Sequence, residues 1–220
     1  MNEGLATHDV SRIRANVFRM AGGLFLAEPS RELLTDLAVD ETWEIMHLLT
    51  ERDGYQPLRE LAQSGTLSLE DLRLEFHALF TVPLGCYIFP FESCYRVAKP
   101  PGPLMGPPAI EVQSAYAAAG FAIAPETLEP PDHLGLGLSF VAELLDRHAT
   151  ALETFDGENS ALVAGQIHSF CTGHLNCWLP QLRDRIRDGG SSAFYTAAAT
   201  LAADLVRKLL LDEPEASNRG

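Results

Sequence analysis

An acid and an imidazole stand side by side at Asp132-His133, directly behind two prolines, in the run Glu129-Pro130-Pro131-Asp132-His133-Leu134. A carboxylate next to a histidine is the pairing that general-base chemistry uses, the acid orienting the ring and the ring taking the proton. The same residues have a plainer use. An aspartate before an apolar run is an N-cap, and the sequence predicts Asp132 in that role with His133 hydrogen-bonded beside it. No nucleophile or ligand set lies close by, so the cap is the favoured reading of the pair taken alone. Cys171, His174 and Cys177 invite a zinc reading because all three are ligand types. On a continuous helix, however, residues six apart point about 240° from one another, so core thiols and a packed histidine are the expectation. Glu92, between Phe91 and Ser93, reads as a solvated or capping acid, and Arg96 as the partner of an acid in the opposite half of the chain. There is no Gly-rich phosphate loop ending in Lys-Ser or Lys-Thr, no dinucleotide fingerprint and no Gly-x-Ser-x-Gly elbow.

These residues need elements to position them. Two prolines fix φ and push the preceding residue out of the helical region, so the chain arrives at Asp132 extended and turns helical only afterwards. Leu134, Leu138, Val141 and Leu145 on one side, with Leu136, Phe140 and Leu144 on the other, predict a helix that is apolar nearly all round and therefore central. Before it, helices are expected over Asp9 to Ala27, weakened by Gly22-Gly23, and over Glu41 to Thr50 and Pro57 to Ser64, separated by an Asp53-Gly54 turn. Ser68 with Asp71 resembles a capping box for a helix whose face is Leu69, Leu72, Phe76 and Phe80. From Thr81 to Pro108 seven prolines preclude a long helix, yet Cys86, Tyr87, Ile88, Phe89, Phe91 and Tyr95 are too apolar for a solvated linker, so an ordered loop is expected. A helix over Ala109 to Ala119 follows. After the central helix, Asn159 or Ser160 is expected to cap a helix striped by Ile167, Phe170, Cys171, His174, Leu175 and Trp178 and ending near Pro180. Ser191 or Ser192 caps the last, with Phe194, Ala198, Leu201, Leu205 and Leu209 buried and a frayed tail from Asp212 to Gly220. No alternating run argues for a sheet, so the fold class is all-α: a bundle of about 8–11 helices in two lobes joined by a proline-rich hinge, divided at 1–100, 101–131 and 132–220.

Composition narrows the partners. With 30 acids against 16 bases the formal charge is −14, which disfavours nucleic acid and anionic membrane and favours a cationic partner. From Pro100 to Leu182 the one lysine or arginine is Arg147, whereas Glu111, Glu126, Glu129, Asp132, Glu143, Asp146, Glu153, Asp156 and Glu158 are acids. Four cysteines without paired spacing read as reduced thiols in the cytoplasm. Arg12, Arg14 and Arg19 ahead of a short apolar run mimic a secretory leader, but Ile13, Val17, Met20 and Leu24 recur at helical spacing, so an amphipathic first helix is expected instead.

Four stretches, in order between Leu69 and Ala149, resemble the TorD/DmsD/NarJ family of redox-enzyme maturation chaperones: Glu75-Phe76-x-x-Leu79-Phe80, Pro90-x-Glu92-Ser93-x-Tyr95-Arg96, Val112-x-x-x-Tyr116 with Gly120, and Glu129-Pro130-x-Asp132-His133-Leu134. Phe89 and Phe91 flank Pro90 where some members carry a tryptophan. The resemblance implies an all-helical cytoplasmic chaperone, not an enzyme, without cofactor or metal. It implies as partners the twin-arginine signal peptide and the apo form of a molybdopterin-containing catalytic subunit, held from export until its cofactor is inserted. It points to Pro90, Phe91, Glu92, Tyr95, Glu129, Pro130, Asp132 and His133 as the peptide-binding residues, in a monomer or homodimer. The residues agree with that reading, because a pair of guanidinium forks followed by an apolar run requires carboxylates beside an apolar groove. Two alternatives stand beside it: a weak GTP hydrolase using Asp132 and His133, and a structural subunit of a redox complex.

Overall fold

The helix predicted to be central is central. In the computed structural model, which describes residues 6–82, 87–190 and 192–212, α7 (Leu134–Glu153) buries Leu134, Leu138, Phe140, Val141, Leu144, Leu145 and Ala149 on all its sides. The protein is 73% helical, and the described residues form ten α-helices and no strands, as the periodicities require. α1 (Thr7–Leu26) lies along one flank of α7 and α8 (Gly157–Phe170) along another. α10 (Ala193–Asp212) packs between α4 (Arg52–Gln63) and α9 (Leu179–Gly189), while α2 (Arg31–Ala38), α3 (Asp40–Leu49) and α5 (Leu69–Phe76) close the amino-terminal side. α6 (Pro107–Ala118) precedes the turn into α7. No helix among the described residues is long and apolar enough to cross a membrane.

Why α1 and α7 sit so close is written in two glycines. A Cβ on Gly22 would stand 2.9 Å from the Gly135 carbonyl oxygen, and one on Gly135 would stand 2.7 Å from the Gly22 carbonyl oxygen, so backbone meets backbone there. Gly23, one residue on, faces nothing within 4 Å. The expected weakening of the last turns is thus the cost of a helix–helix contact that only glycine permits. Along the same seam Ser11 Oγ meets His148 Nδ1 at 3.2 Å in a buried pair. At its solvent edge Arg12 donates to Glu153 at 2.6 Å, and Arg19 to Glu143 at 3.0 Å and Asp146 at 2.6 Å. Exposed pairs of this kind are worth roughly 0–1 kcal/mol each, so they tune the seam that packing creates.

Several boundaries differ from the sequence reading. Asp53-Gly54 is not a turn: both residues lie in the first turn of α4, because Asp204 of α10 accepts from the Glu51 amide at 2.7 Å and starts the helix from across the core. Gly54 is what lets Asp204 approach, since a Cβ there would come within 2.7 Å of the Asp204 Cβ. α2 was not expected at all; it is a short helix capped by Ser30, whose Oγ accepts from the Leu33 amide. Asp156, not Asn159 or Ser160, caps α8. The stripe expected to run to Pro180 breaks earlier, through a π-helical turn at Cys171–Leu175, and Pro180 opens α9 instead of closing a helix. Proline fits a first turn as well as it ends a last one, so its sequence signal has two readings. Ser68 caps α5 and Ser192 caps α10, both as expected. Cys86, Ser191 and the tail beyond Asp212 lie outside the described residues; Asp212 itself ends α10 and pairs with Arg14.

The glycine seam gives a paired test. Gly22→Ala should lower the unfolding free energy by about 1 to 3 kcal/mol, the scale of overpacking a tight contact. Gly23→Ala should raise it by up to about 1 kcal/mol, the helix-propensity gain alone. Urea unfolding of the two variants beside the parent decides between this account and a merely weak helix end, under which both alanines would stabilise.

Candidate functional site

Residues 90–95 and 130–134, some forty positions apart in sequence, fold onto one another. The Leu134 amide donates to the Pro90 carbonyl at 2.8 Å and the Glu92 amide to the Asp132 carbonyl at 3.0 Å, with Phe91 and His133 paired in an isolated antiparallel bridge between them. This short ladder is how a proline-rich loop, poor in internal hydrogen bonds, satisfies its backbone. Asp132 adds a side-chain bond: its Oδ2 accepts from the Ser93 amide at 2.8 Å and so caps the 3₁₀ turn Glu92–Cys94. Asp132 therefore caps the loop and not α7, a correction to the expected role. His133 is the N-cap of α7, its Nδ1 accepting from the Gly135 amide at 3.0 Å.

That bond assigns the tautomer, since an Nδ1 acceptor leaves the proton of the neutral ring on Nε2. Burial pushes the His133 ring down to about 4, so it stays neutral at physiological pH. Its acceptor nitrogen is engaged, Phe91 packs on it edge to face with ring centres 5.3 Å apart, and the neighbouring carboxylate points at Ser93. The pair is not arranged as base and orienter.

Glu92 is the second surprise. Instead of a solvated acid it is 2% exposed, and its carboxylate receives Arg96 Nη1 at 2.6 Å and faces His174 Nδ1 at 3.2 Å. Arg96 reaches on to Glu111 of α6 at 3.1 Å. A buried carboxylate is tolerable only when paired in this way, and the pairing ties the loop to α6 and to the turn after α8. The sequence marks His174 as a packed histidine but not as the partner of Glu92, because nothing local marks a partner 82 residues away. Trp178, expected only as part of the same apolar stripe, is the ring on which Tyr95 stacks, with ring centres 5.3 Å apart. Tyr116 completes the frame by donating from its hydroxyl to the Pro131 carbonyl at 3.0 Å, and burial pushes that hydroxyl far up. Burial likewise raises the Cys94 thiol to about 11, so it stays protonated. Cys171 and Cys177 sit in and after the π-helical turn, not on one continuous helix, and no three metal-binding side chains converge among the described residues.

Of the eight candidate residues, the structure draws Pro90, Phe91, Glu92, Tyr95, Asp132 and His133 into this buried frame, leaves Pro130 half-buried, and puts Glu129 outside. Partial burial pushes the Glu129 carboxyl up, and it makes no ion pair among the described residues. Its neighbour Leu128 is 95% exposed. The same segment, 121–127, forms with α7 an apolar groove of about 190 Å³ walled by Phe121, Ile123, Leu136 and Phe140, with Glu143 on the rim. A larger groove of about 510 Å³ runs between α6 and α8, lined by Ala115, Ala119, Leu162 and Phe170 and closed at one end by His174. Arg147 donates to the Ala119 carbonyl at 2.6 Å and lies over the Phe121 ring, pinning the wall between the two.

Comparison with known proteins adds an independent line. Residues 48–184 match the family model described as nitrate reductase delta subunit. The chain is 28% identical over 219 residues to a chaperone protein TorD of Vibrio cholerae, covering 91% of this chain and 92% of that one. It is 23% identical over 216 residues to a chaperone protein TorD of Shewanella pealeana, covering 93% and 91%. A crystal structure of an Archaeoglobus fulgidus protein assigned to redox enzyme maturation shares the fold, with a TM-score of 0.50 at 16% identity over 94% of this chain and 98% of that one.

The neutral, buried His133 makes stability depend on pH in a definite direction. Its folded value, about 4, lies below the ordinary value of 6.5, so the unfolded chain binds the proton first and stability falls as pH drops through that window. Full exposure of the shift corresponds to about 3 kcal/mol at most. Denaturant unfolding at steps from pH 7 to pH 4.5 should show the parent losing stability relative to His133→Asn, whose amide oxygen can still accept from Gly135 but never charges. Parallel pH profiles for the two proteins would contradict the assignment.

Proposed function

Since the chain belongs to the nitrate reductase delta subunit family, within which its relatives are TorD chaperones, we propose that it is a maturation chaperone of a molybdopterin-containing oxidoreductase. Its ligand, in this reading, is the twin-arginine signal peptide of the apo catalytic subunit. Binding holds that subunit from export until its cofactor is in place. The observation that carries the reading is the run Glu126-Thr127-Leu128-Glu129, in which both acids and Leu128 are exposed directly beside the apolar groove of Phe121, Ile123, Leu136 and Phe140. Carboxylates next to an apolar trough are what a pair of guanidinium forks followed by leucines requires.

The eight candidates then divide by reach. Glu129 and Pro130 meet the peptide, with Glu129 pairing one guanidinium. Pro90, Phe91, Glu92, Tyr95, Asp132 and His133 hold the loop and the start of α7 in the shape that presents them. The charge of −14 steers a cationic leader toward the protein and makes its capture salt-dependent.

Titration calorimetry with a synthetic twin-arginine leader tests this. The leader should bind, more weakly as salt rises, and a twin-lysine version should bind less tightly because lysine keeps the charge but loses the fork. Glu129→Gln should cost about 2- to 5-fold in affinity, the scale of an exposed ion pair, with the thermal midpoint unchanged. Asp132→Ala should instead lower stability by about 1 to 3 kcal/mol through the orphaned Ser93 amide and weaken binding with it. Equal binding of both leaders, with Glu129→Gln like the parent, would overturn the site, and no binding of any twin-arginine leader would overturn the reading.

A further inference from the structure

α8 carries a glycine in its interior that packing does not require. A Cβ on Gly165 would meet no neighbouring atom within 4 Å among the described residues, and glycine inside a helix lowers its stability relative to alanine. Open space alone marks nothing, as at Gly23. Gly165 differs in lining the groove of about 510 Å³ between α6 and α8, where Ala115, Ala118 and Ala161 share the walls with it. Phe140 and Phe170 also line that groove, and Leu162 beside them is 61% exposed. Side chains this small let a second backbone lie close to α8, which is the use glycine has where a ligand's chain approaches.

His174 gives this apolar trough a polar end. Its Nδ1 stands 3.2 and 3.3 Å from the two Glu92 oxygens, and a carboxylate at this contact accepts, so Nδ1 carries the proton. Nε2 of the neutral ring is then an acceptor. It points away from Glu92, on the part of the ring that meets the groove, and makes no hydrogen bond among the described residues. The charges at this corner are the Glu92 and Glu111 carboxylates and the one Arg96 guanidinium between them, which leaves one negative charge in excess. Cys177 adds none, because burial raises its thiol to about 11. Neither α6 nor α8 has a lysine or arginine, whereas each has a glutamate, Glu111 and Glu158. An acceptor backed by a carboxylate, at the end of an apolar trough between two acidic helices, calls for a cationic donor on an apolar chain.

We propose that the groove between α6 and α8 binds an apolar polypeptide segment whose cationic side chain donates to His174 Nε2. The ligand class rests on the reading of this chain as a chaperone. The site is distinct from the Glu129 rim, yet Phe140 lines both grooves, so one bound chain reaches from the leader trough into this one.

The probe is N-acetyl-Leu-Ala-Leu-Arg-amide, which has no arginine pair. Its citrulline counterpart keeps the shape and the N–H donors without the charge. Each is titrated into the full chain by calorimetry and by ¹⁵N spectra of the histidine ring nitrogens. The arginine peptide should bind about fivefold more tightly than the citrulline peptide, or better, and move the His174 Nε2 signal. Gly165→Leu, whose side chain fills the trough, should weaken binding by about tenfold or more while the thermal midpoint holds or rises. His174→Phe should erase the preference for arginine over citrulline. Since that change also takes a partner from Glu92, His174→Gln, which keeps a donor and an acceptor, should restore stability and part of the preference. Leu74→Gln, which removes an exposed leucine of α5, should bind like the parent. A Gly165→Leu protein that binds like the parent, equal binding of the two peptides, an unmoved His174 Nε2 signal, or a Leu74→Gln protein that loses as much as Gly165→Leu would overturn the proposal. Binding lost with Glu129→Gln but kept with Gly165→Leu would put the probe on the leader rim and overturn this proposal alone. Probe binding as expected, with no twin-arginine leader bound, would support the groove and overturn the leader reading alone.

Discussion

A proline-rich stretch has few amides with which to hydrogen-bond to itself, and in this protein the start of α7 supplies the partners that its first residues lack. Pro90 and Glu92 find backbone partners on Leu134 and Asp132, with Phe91 and His133 facing each other between them, and the Asp132 carboxylate closes the set at the Ser93 amide. From that ladder follow the direction of α7, the burial of Glu92, and the position of the acidic rim. Were the ladder absent, the Glu92 carboxylate would have no reason to enter the core, where only Arg96 and His174 make its charge tolerable. The acid-histidine pair, which as bare residue types suggests catalysis, is spent on architecture: one member caps the loop, the other caps the helix.

The same economy appears on the opposite flank of α7. Gly22 and Gly135 bring α1 against it at backbone distance, and Gly54 admits Asp204 to begin α4 from across the core. Long-range polar bonds, and not only local caps, set where the helices begin. A chain so cross-braced presents a stiff scaffold, and Glu126 to Glu129 with the groove beside them lie outside the bracing and carry exposed acids next to apolar surface. Pre-formed shape lowers the ordering cost of taking up an extended peptide.

What the sequence disclosed and what it withheld divide along a physical line. The apolar pattern of α7, the Ser68 cap, the burial of Phe194 to Leu209 and the all-α class are local or periodic properties, and each is present as expected. Pro180 and Asp53-Gly54 carry signals with two meanings, and the fold uses the one not expected: a helix start for the proline, a tight helix crossing for the glycine. Asp132 and His133 are both able caps, so adjacency alone did not say which would serve α7. The bond from Glu92 to His174 and the stacking of Tyr95 on Trp178 join positions more than eighty residues apart, and no periodicity encodes them. For that reason the sequence does not show the division of the candidate residues into a buried frame and an exposed rim.

Hydrogen exchange with and without a twin-arginine leader tests the central claim, that a rigid ladder under the loop supports a binding rim at 121–130. In the free protein the amides of Glu92, Ser93 and Leu134 should exchange slowly, as members of the buried ladder, while those of residues 126–129 exchange fast. The leader should slow exchange across 121–130 and the facing turns of α7, leaving the ladder amides as they were. Fast exchange at Glu92, Ser93 and Leu134 in the free protein, or leader protection confined to helices remote from residues 121–130, would contradict the account.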